Sequence, residues 1–245
     1  FRNIMTTRFA NTPTKFLHNF ERIFSALNDK LEKPVQQHLF AVYATLAAGL
    51  GVAAVGGAVH LFTDLLRAGF LLSLVSFGLM MALIATPATV ENGKRRLAYF
   101  VGFCFTSGVS LGPLLEMVIA IDPSIVTTAL FSTVIVFGCF SMASLHAPST
   151  KFLYLGGSLA SASMSLLLFT VFFRWLVPVS FILIASLAIS CGFILYDTQL
   201  IVEKNRRGDD DFVWHAVELF IDFVQVFRSL LILLSEKRDR RRRDD

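Results

Sequence analysis

Charge is what this sequence has least of: Asp, Glu, Lys and Arg make up 16% of its 245 residues, where a soluble domain carries roughly 25%. With 55% hydrophobic residues and a mean hydropathy of +0.65, this shortage excludes an ordinary soluble fold and implies an all-α integral membrane protein. Cysteine is scarce too. Cys104, Cys139 and Cys191 each lie inside an apolar run, with no CxxC pair and no nearby His at ligand spacing, which excludes a disulfide framework or zinc site and leaves them as small core hydrophobes. The first 37 residues lack the uninterrupted apolar core of a signal peptide and carry six Lys/Arg, so insertion falls to the first membrane helix. The net charge of +4 is concentrated at the chain ends and in two loops, a distribution that speaks to topology and lipid contact and not to nucleic acid.

What the chain does have is long apolar runs. Seven follow one another at about residues 39–62, 68–86, 97–121, 124–146, 152–173, 176–202 and 212–234, most of them near the roughly 20 residues a membrane-spanning helix needs. Asp64/Arg67, Thr86-Pro87, Asp122-Pro123, His146-Ala147-Pro148 and Arg174/Trp175 mark breaks between them, all interface or turn signals. The sequence therefore predicts a seven-transmembrane-helix bundle over residues 38–234, between a cytoplasmic N-terminal arm over 1–37 and a basic tail over 235–245. Within the arm, Thr12-Pro13 starts a helix whose Phe16, Leu17, Phe20, Ile23, Phe24, Leu27 and Leu31 share one face until Pro34. That pattern reads as an amphipathic helix lying in the membrane interface. The six basic residues of the tail suit anionic headgroups, with a disordered, solvated tail as the equal alternative.

Counting Lys/Arg by loop assigns 13 to the side of the N-terminus and only Arg67 and Arg174 to the opposite loops, which places the N-terminus in the cytoplasm. The tail disturbs this count, because a seventh segment that spans fully carries its basic residues to the other side. A re-entrant segment returns them.

The stretch from Cys191 to Leu234 holds the polar groups of greatest interest. Asp197 and Asp222 stand in two apolar segments, and a carboxylate at depth in a bilayer is expensive unless paired, hydrated or protonated. Asp197 lies about 10 Å below Lys204 and Asp222 about 16 Å below Asp211 at 1.5 Å per residue, so an antiparallel hairpin brings them within about one turn of each other. At hydrogen-bond range in low dielectric both cannot stay ionised, so they share a proton and act as a proton sensor. Deprotonated, Asp197 and Asp222 are also hard oxygen ligands for calcium. The alternative is that each caps a helix end or meets a basic loop residue. His215, Glu218, Asp222, Gln225 and Ser229 recur at steps of three and four, a polar stripe that faces an internal cavity or, in the alternative, lies on the interface with its polar side in water. His215 and Glu218 are thus candidate modulators of the pair.

Other candidates lie further off. Glu116 follows Gly112-Pro113 near the non-cytoplasmic end of its segment, as a cation access site or as a carboxylate snorkelling to the interface. Gly108 to Gly112 matches G-x-S-x-G, but a hydrolase elbow needs a strand before it and this one lies in a membrane helix. The sequence reads as a non-enzyme, with no required cofactor.

The residues GFILYDTQLIVEKNRRGDDDFVWHAVELFIDFVQVFRSLLILL resemble the signature hairpin of the Bax inhibitor family, the transmembrane Bax-inhibitor-motif proteins, in its endoplasmic-reticulum branch. KPVQQHLFAVYATLAAG, LIATP, KRRLAYFVGFCFTSGVSLGPLLEMVIAIDPSI and FLYLGGSL extend the likeness from about Pro34 to Leu234. It implies a bundle whose last helix is central, a multi-pass protein of the endoplasmic reticulum membrane, a pH-sensitive calcium leak and suppression of apoptotic cell death. The family's paired aspartates fall on Asp197 and Asp222, and an arginine latch of bacterial relatives falls on Arg95 or Arg96. Two other functions remain open: a calcium/proton exchanger, and a non-conducting adaptor binding cell-death regulators of the Bcl-2 type.

Overall fold

The computed structural model describes residues 31–63, 69–147, 151–173, 175 and 178–244. The amphipathic helix expected before Pro34 lies outside them apart from its last residues. Among the described residues the fold is all helical: α1 (Lys33–Phe62), α2 (Phe70–Ala85), α3 (Gly93–Ile121), α4 (Ser124–His146), α5 (Leu155–Phe172), α6 (Val179–Arg206) and α7 (Phe212–Asp244). Five of them, α1, α3, α4, α5 and α6, are long and apolar enough to cross a membrane. α2 has only 16 residues, and α7 carries His215, Glu218, Asp222 and Arg228 inside its apolar run.

Chain chemistry sets several of these bounds. Pro34 sits in the first turn of α1, where its missing N–H is no loss, so the helix begins before the apolar run that marks it in the sequence. Asp122 ends α3 and its carboxylate accepts the Ser124 amide at 2.9 Å, turning the chain into α4 within two residues. Gly208 takes φ +92° in the tight α6–α7 loop, a left-handed conformation that costs glycine little.

The last helix is central. α7 packs against α1, α3, α4 and α6, and Val213, Ala216, Val217, Leu219, Phe220, Phe223, Val226, Phe227 and Leu231 are all buried. Only Ile221, Gln225 and Arg228, spaced four and three apart, form an exposed edge along its middle. α2 and α5 are peripheral. Leu83 is the one buried residue of α2 and α5 has none, so their apolar faces meet lipid. The cysteines divide by position: Cys104 is buried, Cys191 is half-buried and Cys139 is exposed, so Cys139 lies outside the core expected for it.

α7 also crosses the bundle from end to end. Before its first turn, Asp211 accepts from Arg96 near the start of α3. Near its other end, Arg238 meets Asp122 at the far end of α3 at 3.0 Å, and Glu236 accepts from Ser180 in the first turn of α6 at 2.9 Å. A re-entrant seventh segment is incompatible with these contacts, and residues 235–244 continue the same helix.

The contact at Asp122 has a pH signature. The Ser124 hydroxyl and amide, and after them the Arg238 guanidinium, hold its carboxyl below the ordinary 3.8. A lowered folded value means that its contribution is fully present above 3.8 and is lost as pH falls through the lower folded midpoint. Carboxyl NMR should therefore show Asp122 titrating below 3.8, and Ser124→Ala should raise the midpoint more than Arg238→Gln.

Backbone approach between α1 and α3 requires glycine. A Cβ at Gly108 would run into the Ala53 carbonyl, and one at Gly56 into the Phe105 carbonyl, both rigid backbone. Gly108→Ala should destabilise by about 1–3 kcal/mol as overpacking. Gly51, with nothing within 4 Å of its Cβ position, should gain about 0.5–1 kcal/mol as alanine; thermal unfolding in one detergent measures both.

Candidate functional site

The hairpin of α6 and α7 brings its two aspartates together. Asp197 sits seven residues before Lys204 on α6 and Asp222 eleven after Asp211 on α7, and their carboxyl groups come within hydrogen-bonding reach of each other. Asp222 is 7% exposed and its Oδ2 has no hydrogen-bond partner. Asp197 is half-buried. Two carboxyls can share a hydrogen bond only when one holds a proton, so the contact is itself a proton-binding site.

Above the pair, Glu218 accepts from Lys204 at 2.9 Å and from the Trp214 indole at 2.8 Å. Lys204 thus makes its direct ion pair with Glu218, while its charge also acts on Asp197, so this loop cation is shared between the two carboxylates. Glu218 still acts on both aspartates electrostatically.

His215 is fully buried, one turn after Asp211 at the loop end of α7. Its Nδ1 is 2.9 Å from Nε2 of His38 on α1, one imidazole donating to the other's bare nitrogen. His215 Nε2 is 3.8 Å from Asp209 Oδ2, too long for a hydrogen bond. Four turns of the polar stripe are therefore sorted by the structure: His215, Asp222 and Ser229 face inward, Glu218 is half-buried, and Gln225 is exposed, donating to Ser186 Oγ at 3.0 Å.

Of the two arginine candidates, Arg96 is buried and Arg95 exposed. Arg96 donates to the carbonyls of Thr86 and Leu83 at the end of α2 and to the Asp211 carboxylate before α7. It closes the α6–α7 loop and not the aspartate pair itself. Asp211 also accepts the Trp214 amide at 3.1 Å, capping α7.

Glu116 does not join the site. It lies about 30 Å along α3 from Arg96, has a 75% exposed side chain and stands 4.0 Å from His60. Ser110 of the G-x-S-x-G run donates to the Thr106 carbonyl of its own helix at 2.8 Å, so its hydroxyl serves α3 and no strand precedes it among the described residues. For a cation, Asp197 and Asp222 supply carboxylate oxygens from two helices. Among the described residues no group of three or more His, Cys, Asp or Glu side chains is arranged to hold a metal ion, so the remaining ligands of a bound calcium would be carbonyls or water.

The sequence does not mark His38 as functional. A lone histidine four residues after Pro34, at the polar start of an apolar run, is its only sign.

Comparison with known proteins comes down on one family. Residues 35–239 match the family model described as inhibitor of apoptosis-promoting Bax1. The chain is 44% identical to cattle Bax inhibitor 1 over 223 residues, 89% of this chain and 92% of that protein. It is 46% identical to the human protein of that name over 205 residues, 82% and 86% of the two chains. With the Arabidopsis thaliana protein of the same name it shares 38% over 230 residues, 91% and 88% of the chains.

Proposed function

Because the chain belongs to the family of inhibitors of apoptosis-promoting Bax1, we propose that it suppresses apoptotic cell death from the endoplasmic reticulum membrane as a calcium leak gated by protonation of Asp197 and Asp222. The observation that carries this reading is the approach of two carboxyl groups from adjacent helices inside the bundle, one with an unpartnered buried oxygen. With the proton shared, the pair bonds α6 to α7. Without it, two like charges face each other in low dielectric and are relieved by separation or by a cation.

Orientation follows from the loops. The side of the N-terminus holds 13 Lys/Arg against eight on the other side, the six of the tail now included, so the N-terminus is cytoplasmic and the α6–α7 loop faces the cytosol. Cytosolic pH is then the input to the pair.

Purified protein in liposomes tests the proposal: calcium flux should occur without a proton gradient and vary with pH. Flux absent at every pH would leave the adaptor reading, in which the membrane domain binds cell-death regulators. Flux that requires an opposing proton gradient would make the protein an exchanger using the same two carboxylates.

A further inference from the structure

Beside the aspartate pair a second polar cluster joins three helices. Tyr43 of α1, Ser141 of α4 and Thr198 of α6 turn their hydroxyls towards one another. Thr198 is 0% and Ser141 5% exposed, and Tyr43 is half-buried with its hydroxyl oxygen buried. None of the three closes a hydrogen bond of normal length and angle. Many other threonines and serines of this bundle bond to the carbonyl one turn back, as Thr133 does to Ala129 at 2.7 Å and Ser190 to Ser186 at 2.9 Å. Ser141 and Thr198 forgo that bond and instead lie beside the Tyr43 hydroxyl.

Three orphaned hydroxyls in an apolar surround are costly unless something answers them. A hydroxyl offers one donor and two acceptor sites, and a buried water typically makes about three hydrogen bonds. We propose that the hydroxyls of Tyr43, Ser141 and Thr198 form a binding site for one internal water molecule held between α1, α4 and α6. Neutral, mixed donor and acceptor groups suit water better than a bare cation, which prefers charged oxygens.

The site has a structural consequence for the pair. One turn nearer the α6–α7 loop, α4 and α6 are already joined: Ser144 donates to the Leu195 carbonyl at 2.7 Å, and Gln199 donates to the Ser144 carbonyl at 3.3 Å. The water extends this polar seam inward and brings α1 into it through Tyr43. Thr198 follows Asp197 directly, about 100° round the helix, so the seam fixes the register of α6 while leaving Asp197 turned to α7.

X-ray radiolytic footprinting in ¹⁸O-labelled water reads the site without reference to calcium. Tyr43 should take up label while Phe100 and Phe220, buried among apolar groups, stay unlabelled. Ser141→Ala and Thr198→Val should each reduce Tyr43 labelling several-fold, and Thr198→Ser should retain it; unfolding temperatures of the same samples confirm that each variant is folded. An unlabelled Tyr43 overturns the proposal, as does labelling that Ser141→Ala and Thr198→Val leave unchanged, since it would then come from bulk solvent. Label on Phe100 and Phe220 equal to that on Tyr43 overturns it as well.

Discussion

Replacing Arg96 with alanine should lower the unfolding temperature by about 6–12 °C, while Arg95→Ala should leave it unmoved. The two side chains are neighbours in sequence, yet Arg96 is buried and Arg95 points away. Arg96 gathers three acceptors from separate elements, the carbonyls of Leu83 and Thr86 and the carboxylate of Asp211. Truncation strands all of them. Removing one partner of a buried ion pair costs about 3–5 kcal/mol, and the low end applies because the Asp211 side chain is 17% exposed and can recruit water. A loss of about 3 kcal/mol, at about 2–4 °C per kcal/mol for a chain of this size, gives the range stated. Arg96→Lys should recover only part, since one ammonium cannot span the end of α2 and the loop before α7 together. Thermal unfolding in detergent with Arg95→Ala as the control decides the matter, and an equal effect of the two alanine variants would refute the latch.

Periodicity and punctuation placed the helices because a bilayer leaves a chain few choices. Unsatisfied backbone groups force helices, and Asp122-Pro123 and His146-Ala147-Pro148 stop them where the described turns fall. The depth argument for Asp197 and Asp222 worked for a similar reason: two helices joined by a short loop must run antiparallel, so distance from the loop converts directly into level in the membrane. Contacts between helices distant in the chain follow no such rule. Nothing in the spacing tells Arg95 from Arg96, because a step of one residue is a rotation of about 100° and only the packed position of α2 and the loop selects between them. His38 and His215, 177 residues apart, meet for reasons held in the packing of α1 against α7. The seventh segment was ambiguous because hydropathy sees its charges but not their partners. Once Arg238 is seen against Asp122 and Glu236 against Ser180, the polar end of α7 has a place beyond the apolar layer.

Asparagine at either aspartate should abolish the pH dependence of calcium flux, leaving rates at pH 6 and pH 8 equal within error. The reasoning starts from what the substitution keeps. The amide introduced by Asp222→Asn supplies permanently the donor that a shared proton supplies only when bound, so this variant fixes the pair in its bonded arrangement with one charge. It should be about as stable as the parent, within about 1 kcal/mol, because the hydrogen bond survives. Asp222→Ala behaves otherwise: Asp222 is 7% exposed, so its loss leaves Asp197 facing a cavity without a donor, a penalty of about 1–3 kcal/mol. Flux and stability therefore separate, with asparagine removing the pH response and sparing the fold, and alanine damaging both. A double-mutant cycle of Asp197→Ala and Asp222→Ala, each of which removes the contact, completes the test. Residues in contact give coupling energies of about 0.5–3 kcal/mol and independent ones add, so additive stabilities would show that the carboxyls do not act as a pair. A pH response surviving in both asparagine variants would move the sensor elsewhere, and the buried His38–His215 contact near the α6–α7 loop would be the next group to replace.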